Sequence, residues 1–365
     1  MKILHFINSL TAGGAERLLV DLVLLMNKKG LQVDVLMIKG GESPFVEKLT
    51  ASNEIKVMHL TENGNVYNPL HLFKLKKYFE EYDLVHVHLF PSLYWSGITR
   101  FFNGKKKYHL VFTEHNTTNR RRDIFLFKFL DKFIYKQFDK IISISNAVDE
   151  ALRLHLGKKY NHIEKIYNGI DLIEIEEAKS YSKKEIGNEE DDLLIMQVSS
   201  FTPQKDQLTL IESLQFLPEQ FKLLLVGDGP LRSEHETSVE ELGLTNRVSF
   251  LGIRKDVPRL LKTVDFVVLS SLFEGLSLAS VEGLASGKPF ISSNVPGLTE
   301  VVENAGLMFT AKNSQELASQ IQSLNESPEF KEQIVNQCKE RAKIYDIRFM
   351  ADNYIALYKN LSTQN

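Results

Sequence analysis

Short apolar stretches alternate with amphipathic helical patterns through residues 1–170 of the chain. The stretches are nearly continuous in apolar character; they read KILHFI, QVDVLMI, LVHVH, HLVFT and KIISIS. Strands that are apolar on both faces are typical of parallel sheets covered by helices on each side. The pattern therefore predicts a doubly wound parallel α/β domain over residues 1–170.

A second series of the same kind begins near residue 193. Its strand-like stretches are LLIMQVSS, FKLLLVGDG, RVSFLG, DFVVLSS and PFISSN. We expect a second Rossmann-like domain over residues 193–345, with a polar linker or surface excursion at 171–192. Ligands of open α/β sheets bind beyond the carboxyl ends of the strands, so the expected site is a cleft between the two domains.

Composition supports this division and narrows the class of protein. The chain has 365 residues, 43% hydrophobic and 25% charged, with a formal net charge of -3, which fits about two globular domains and excludes a disordered or fibrous protein. No stretch approaches the roughly 18 uninterrupted apolar residues of a membrane span. The start lacks the long apolar region of a signal peptide, and the single cysteine, Cys338, fits a reducing compartment. We expect a cytoplasmic protein.

Glycines follow two of the predicted strands. Gly13 and Gly14 permit a tight turn in which a ligand, most often phosphate, approaches the backbone before a helix begins. A compact βα loop without a ligand explains the same glycines. A nicotinamide-dinucleotide site would need G-x-G-x-x-G, which this turn lacks. Gly227 lies in a second turn, VGDGP, where Pro230 is expected near the first position of a helix.

Two glutamates, Glu274 and Glu282, stand eight residues apart after another predicted strand. On a helix this spacing separates their backbones by about 12 Å, which exceeds the roughly 5 to 9.5 Å of a glycosidase carboxylate pair. The spacing instead suits two glutamates that bind the two ends of one extended ligand. The helix start between them offers backbone amides for an anionic group; these belong to Gly275, Leu276, Ser277 and Leu278. The alternative is an ordinary glutamate in the first turn of a helix and a solvated glutamate at the middle of the helix.

Further polar candidates stand at other strand ends. Lys205 follows the first strand of the second domain and is either a phosphate ligand or a solvated loop lysine. His115 ends the HLVFTEHN strand, at the edge where ligands bind, and is a better candidate for a functional residue than His86 or His88. His86 and His88 share one face of their strand, which is compatible with zinc, but the sequence shows no third ligand at metal spacing. We therefore expect no metal.

The motifs occur in a distinctive order: GGAER, TEHN, SISN, IYNGID, FTPQKDQLTLI, LLVGDGP, VSFLG and FEGLSLASVEGLASGKP. The set resembles the retaining family-4 glycosyltransferases, or group 1 glycosyltransferases, of the GT-B fold, from Met1 to about Tyr358. The resemblance implies a nucleotide-diphospho-sugar held mainly by the second domain, an acceptor held mainly by the first, and a last helix within 346–365 that returns to the first. It implies no metal and no cofactor besides the nucleotide sugar, with UDP favoured over GDP.

The resemblance also implies roles for residues. Glu274 would contact the donor sugar hydroxyls, Glu282 the ribose, and Lys205 the diphosphate, while His115 would sit beside the sugar. The remaining implied donor-binding positions are Gly13, Gly14, Ser200, Gly227, Gly275, Leu276, Ser277 and Leu278. Ser200 departs from the family, which usually carries arginine in this turn, so half of the phosphate clamp is replaced.

Two alternatives to a sugar transferase acting on a glycan, polysaccharide or lipid-linked acceptor stay open. One is a nucleotide-sugar epimerase on the same fold, and the other is a glycosyltransferase-like subunit with weakened catalysis, which only Ser200 favours.

The uneven distribution of charge leads to a hypothesis about where the acceptor is found. Residues 100–140 contain eleven Lys/Arg and four Asp/Glu, a net +7, interleaved with aromatic residues. This composition is typical of a surface that meets anionic lipid headgroups, which would make the protein peripheral at the inner face of the membrane. The competing interpretation makes Phe127, Leu130, Ile134 and Phe138 the core face of a helix. We expect no nucleic-acid partner, because the protein as a whole is acidic.

Overall fold

The structure, a computed structural model, describes residues 1–11, 13–103, 107–116, 125–157, 160, 162–275 and 277–363. It divides into two compact units, Met1–Gly169 with Ile347–Asn365, and Ile170–Asp346. Elements of the first unit are β1 (Lys2–Ile7), α1 (Gly14–Lys28), β2 (Gln32–Lys39), α2 (Pro44–Thr50), β3 (Val57–Thr61), α3 (His71–Phe79), β4 (Leu84–His88), α4 (Ser92–Asn103), β5 (His109–Glu114), α5 (Phe125–Tyr135), β6 (Lys140–Ser143), α6 (Asn146–Leu156) and β7 (Ile163–Lys165).

The second unit begins with a short helix and then repeats the βα pattern. Its elements are α7 (Leu172–Glu176), β8 (Leu193–Val198), α8 (Gln207–Ser213), β9 (Phe221–Val226), α9 (Arg232–Glu241), β10 (Val248–Gly252), α10 (Val257–Thr263), β11 (Phe266–Leu269), α11 (Leu278–Ala285), β12 (Phe290–Ser293), α12 (Leu298–Val302), β13 (Leu307–Phe309), α13 (Ser314–Glu326) and α14 (Pro328–Ala342). The last helix, α15 (Ile347–Thr363), belongs to the first unit.

The sheet of the first unit has seven parallel strands in the order β3-β2-β1-β4-β5-β6-β7. The direction of winding reverses between β1 and β4, which pair with Ile3 opposite Leu84 and His5 opposite His86. Both strands are buried along nearly their whole length, because helices cover both faces. One of these helices is α15, which places Tyr354 in the same core as Ile3.

The sheet of the second unit has six parallel strands in the order β10-β9-β8-β11-β12-β13. Here the winding reverses between β8 and β11, which pair with Ile195 opposite Phe266. Side chains that follow these two strands must therefore meet at the carboxyl edge of the sheet. At this point the connection after one strand leads to one side of the sheet, and the connection after the other leads to the opposite side. The two doubly wound parallel sheets confirm the predicted fold class.

Residues 171–192 differ from the linker that their composition predicts. They contain α7 and a 3₁₀ turn at Lys183–Ile186, and they belong to the second unit. The Tyr181 hydroxyl donates to Asp256 at 2.6 Å, and the Lys183 ammonium lies 3.0 Å from the Asp265 carboxylate. The segment is the surface excursion that the sequence also allowed; Leu172 and Ile175 of α7 are buried, and the polar contacts of Tyr181 and Lys183 anchor the rest.

Of the helices in the described part of the chain, none is long and apolar enough to cross a membrane.

Candidate active site

Lys205 and Glu274 form an ion pair at the reversal point of the second sheet. The Lys205 Nζ lies 2.5 Å from Glu274 Oε1, although 69 residues separate them in the chain. The Glu274 side chain is 6% exposed and that of Lys205 is 18% exposed. Ser271 Oγ donates to the same carboxylate oxygen at 2.7 Å. Lys205 is therefore not the solvated loop lysine of the alternative interpretation, and Glu274 is a buried member of an ion pair.

The backbone around Lys205 is held by side chains from both strands at the reversal point. The Lys205 carbonyl oxygen accepts from Gln197 Nε2 and from Ser270 Oγ, each at 3.1 Å. The Ser270 hydroxyl also reaches the next carbonyl, that of Asp206, at 2.8 Å. This network ties the lysine loop to the ends of β8 and β11, so the ammonium is positioned before any ligand binds.

Glycines let neighbouring loops approach this edge closely. A Cβ at Gly297 would lie 2.2 Å from the Glu274 carbonyl oxygen, and Gly297 has a φ of +87°. A Cβ at Gly227 would lie 2.0 Å from the Ser199 carbonyl oxygen, at a φ of +132°. Both positions require glycine for conformation and for space. Pro230 lies outside its helix, contrary to prediction, because α9 begins only at Arg232.

Helix α11 begins within the E-x7-E segment. Glu274 precedes the helix, Ser277 is its N-cap residue and Leu278 its first residue, while Glu282 is half-buried on the helix itself. Gly275 is half-buried before the cap. The first amides of a helix have no partner within it, which makes this end a suitable anion site. Leu276 lies outside the described residues.

Ser200 is exposed beside the lysine loop. Its carbonyl oxygen accepts from Gln207 Nε2 at 2.9 Å, which orients the loop. A serine hydroxyl brings no positive charge, so the charge that arginine would supply is absent at this position.

The glycine turn of the first unit is occupied by an acidic side chain. Gly13 is the N-cap residue of α1 and Gly14 its first residue. A Cβ at Gly13 would lie 2.2 Å from a carboxylate oxygen of Glu16, which folds back over the turn. Burial raises the pKa of the Glu16 carboxyl. A phosphate at these amides would have to displace that carboxylate.

His115 ends a chain of three imidazoles in the first unit. Its Nε2 lies 3.3 Å from His88 Nδ1, and His88 Nε2 lies 3.0 Å from His5 Nδ1. Burial lowers the pKa of His5 to about 3 and that of His115 to about 4, and it lowers the pKa of His88 well below its usual value. All three rings are therefore neutral near pH 7.

His5 corrects the expectation that no third imidazole accompanies His86 and His88. Ligand atoms of these three buried histidines lie within 4.8 Å of one another, a grouping that could hold a metal ion. However, both ring nitrogens of His86 already have partners, Tyr358 at 2.6 Å and Thr113 at 2.7 Å. Both nitrogens of His88 bond to other histidines. The contacts describe a hydrogen-bonded network more closely than a metal centre.

Comparison with known families decides the class of this protein. The model of the family described as Glycosyltransferase Family 4 matches residues 12–174, and that of Glycosyl transferases group 1 matches residues 179–341. The chain is a glycosyltransferase of the group 1 and family-4 type. This confirms the resemblance read from the motifs, and the two matches follow the two sheets.

Solved and curated glycosyltransferases resemble the chain over most of its length. The crystal structure of HepE from Anabaena in complex with UDP has a TM-score of 0.85 at 25% identity, covering 100% of both chains. The N-acetylgalactosamine-N,N'-diacetylbacillosaminyl-diphospho-undecaprenol 4-alpha-N-acetylgalactosaminyltransferase of Campylobacter jejuni is 25% identical, covering 93% of this chain and 94% of its own. The UDP-Gal:alpha-D-GlcNAc-diphosphoundecaprenol alpha-1,3-galactosyltransferase of Escherichia coli is 30% identical, covering 64% and 63%.

Several residues around this glycosyltransferase's candidate site escaped the sequence reasoning. Gln197, Ser270 and Ser271 hold the lysine loop and Glu274 through side-chain hydrogen bonds. Their positions at strand ends were a usable signal, since polar residues that end buried strands face the ligand edge. His5 carried no such signal, because it lies within an apolar strand.

Proposed function

We propose that this glycosyltransferase transfers a sugar from a UDP-sugar to a hydroxyl of a lipid-linked glycan, with retention of the anomeric configuration. The Lys205–Glu274 pair at the sheet reversal carries the proposal. Support for UDP comes from HepE, solved with UDP and, at 26% identity, with UDP-glucose. Support for the acceptor comes from the two relatives named for diphosphoundecaprenol-linked sugars.

In this proposal Lys205 holds the diphosphate and Glu274 the donor sugar. An ammonium group has three N–H donors, and Glu274 takes one of them, which leaves donors for phosphate oxygens. The Glu274 carboxylate has acceptor capacity for sugar hydroxyls besides its bonds from Lys205 and Ser271. The amides at the start of α11 add partial positive charge beside the leaving group. His115 sits beside the sugar, and Glu282 binds the ribose.

Retention follows from a reaction on one face of the sugar. The bond from the anomeric carbon to the diphosphate oxygen breaks, and the acceptor oxygen bonds to the anomeric carbon from the same side. The acceptor proton passes to the departing diphosphate. The protein then contributes positioning and stabilisation of the leaving charge, and it supplies no nucleophile and no metal.

Ser200 sets a limit on donor affinity in this scheme. Ser200→Arg restores a charge beside the exposed turn and should strengthen UDP binding by about tenfold, the lower range of a charge-assisted contact. Isothermal titration with UDP measures the change. Unchanged affinity would show that another basic group already fills the role.

Product analysis tests the proposed reaction. The protein is incubated with UDP-sugars and a diphospholipid-linked sugar, and UDP release is measured with and without this acceptor. Acceptor-dependent release with a product whose anomeric proton couples as in the α-linked donor supports retention. An inverted product contradicts it, and an epimerised sugar without transfer indicates the epimerase alternative.

A surface on α4 and α5 favours peripheral contact with the acceptor's membrane. We define the aromatic surface as the exposed apolar residues Phe101, Phe102, Phe129, Leu130 and Phe133. The Phe101 ring centroid lies 5.4 Å from that of Phe102 and 5.0 Å from that of Phe133, so rings of the two helices form one patch. Contiguous exposed apolar groups of this kind mark interaction sites.

The core interpretation of α5 is correct for only part of the helix. Ile134 is buried, as is Phe138 beyond the end of the helix, whereas Phe127 is half-buried and Leu130 is 40% exposed. Not every basic residue of 100–140 reaches the surface, because Arg100 is buried in an ion pair with Asp139. Lys128 and Lys136 are exposed on or beside α5. Basic groups beside apolar rings fit a surface of anionic lipid.

Vesicle co-sedimentation tests the membrane contact, with matched substitutions in the first unit. Phe102 is 74% exposed on the aromatic surface, and Leu154 is 72% exposed on α6. We expect Phe102→Ser to weaken binding to vesicles containing acidic lipid severalfold, and Leu154→Ser to leave it unchanged. High salt should weaken binding of the wild type. No binding at low salt, or equal effects of both substitutions, would remove the membrane contact. The triple change of Arg120, Arg121 and Arg122 to Ser tests these three basic residues, which lie outside the described residues, and unchanged binding would remove them from the membrane contact.

A further inference from the structure

The imidazole chain of the first unit runs in one direction. His5 Nδ1 faces His88 Nε2, and His88 Nδ1 faces His115 Nε2. A neutral imidazole has one N–H donor and one acceptor nitrogen. If one ring donates from Nδ1, the next must accept at Nε2 and so carries its own proton on Nδ1. The three rings therefore share one tautomer, either all Nδ1–H or all Nε2–H.

The buried end of the chain distinguishes the two arrangements. His5 is fully buried, and its Nε2 has no hydrogen-bond partner among the described residues. With all rings in the Nε2–H tautomer, a buried N–H would be left without an acceptor, a condition that folded proteins rarely tolerate. With all rings in the Nδ1–H tautomer, only a lone pair is left there.

We propose that His5 and His88 are positioning residues that hold His115 in the Nδ1–H tautomer, so that His115 presents a hydrogen-bond donor to an oxygen of the bound sugar. The ring orientation is set by the same contacts, because His88 holds His115 from one side, stacks on His5 at a centroid distance of 5.3 Å and lies tilted against His86 at 4.2 Å. His86 is fixed in turn by Tyr358 and Thr113. The tautomer of the chain stands on these contacts alone, whereas the contact with the sugar and its kinetic consequence rest on the proposed function.

Ring chemical shifts in histidine-labelled wild-type protein report the tautomers directly, and substitutions serve only to assign the signals. The ¹³Cδ2 and ring ¹⁵N shifts of His5, His88 and His115, assigned with single-histidine variants, should all report Nδ1–H at pH 7. Mixed tautomers would overturn the coupled chain, and three Nε2–H rings would overturn the donor at His115. A stoichiometric metal ion in the purified protein would also overturn the proposal, because it would occupy nitrogens that the chain needs.

Two substitutions at His88 separate positioning from simple packing. Phenylalanine keeps the ring shape and removes both nitrogens, whereas asparagine keeps an amide donor near the Nδ1 position. We expect His88→Phe to lower kcat at least about fivefold, the factor of one lost hydrogen bond, and to release His115 from the Nδ1–H tautomer. His88→Asn should retain more activity.

The opposite order at His88, or an unchanged His115 tautomer in folded His88→Phe, would contradict positioning. In a His115→Phe background, His88→Phe should cause no further loss of kcat. If His115→Phe alone keeps full activity, the proposed role of His115 in transfer fails, and the ring shifts still decide whether the chain exists.

Discussion

Removing the ammonium of Lys205 tests the diphosphate assignment most directly. At the β8–β11 reversal the ion pair with Glu274 holds Lys205 at 2.5 Å, and 18% of the Lys205 side chain is exposed. In Lys205→Ala the backbone network from Gln197 and Ser270 remains, since both bond to the carbonyl oxygen of residue 205. The substitution therefore removes charge while leaving the loop anchored.

The expected loss follows from the contact that disappears. A hydrogen bond from an ionised donor contributes about 1.5–3 kcal/mol, which corresponds to a roughly 10- to 150-fold rise in the Kd for UDP. Uridine lacks the phosphates, so its affinity should change less than about twofold. Glu274, 6% exposed, keeps the Ser271 hydroxyl at 2.7 Å. We therefore expect the free energy of unfolding to fall by only about 1–2 kcal/mol, below the cost of breaking a fully buried pair.

Titration calorimetry with UDP and with uridine provides the assay, and urea unfolding provides the check on folding. Lys339→Ala is the matched control, because Lys339 is an exposed lysine on α14 of the same unit. It should bind both ligands like the wild type. Equal losses for UDP and uridine in folded Lys205→Ala, or an unchanged Kd for UDP, would refute the assignment of Lys205 to the diphosphate.

Three further outcomes are expected. Glu274→Ala should fold and lower kcat by at least about 100-fold, as measured by UDP release, because a group that positions the transition state is lost; near-normal transfer would remove Glu274 from the site. Gly227→Ala should lower the free energy of unfolding, measured with urea, by about 2–4 kcal/mol, since its Cβ would lie 2.0 Å from a carbonyl oxygen. The control Gly187→Ala has open space around the Cβ at a φ of +79°, and it should lower the free energy of unfolding by only about 1–2 kcal/mol. The free energy of unfolding should fall as the pH drops from 7 to 5. The pKa values of His5 and His115 in the folded protein are lowered to about 3 and about 4, so both rings stay neutral in this range, while the same histidines in the unfolded chain take up protons below about pH 6.5. An equal pH dependence in a His5→Phe variant would contradict this.

Much of the architecture was readable from local patterns. The nearly continuous apolar strands predicted parallel sheets, and the restart near residue 193 predicted a second one, both confirmed by the strand orders. The burial of a strand leaves a local pattern in the sequence, because most residues of a strand covered on both faces are apolar whatever its distant neighbours are. The order of glycine turns and the E-x7-E segment likewise identified the family without any knowledge of contacts.

Proximity across the chain was decided only by the tertiary structure. In the sequence Lys205 had a solvated alternative, and Glu274 had that of an ordinary first-turn glutamate. The pairing of β8 with β11 brings their loops together and makes them an ion pair. His5 sits in an apolar strand with no motif, and it joins His88 only because β1 pairs with β4. Local periodicity specifies which face of an element is buried, whereas strand order determines which buried or terminal side chains meet, and that order follows from packing of the whole sheet.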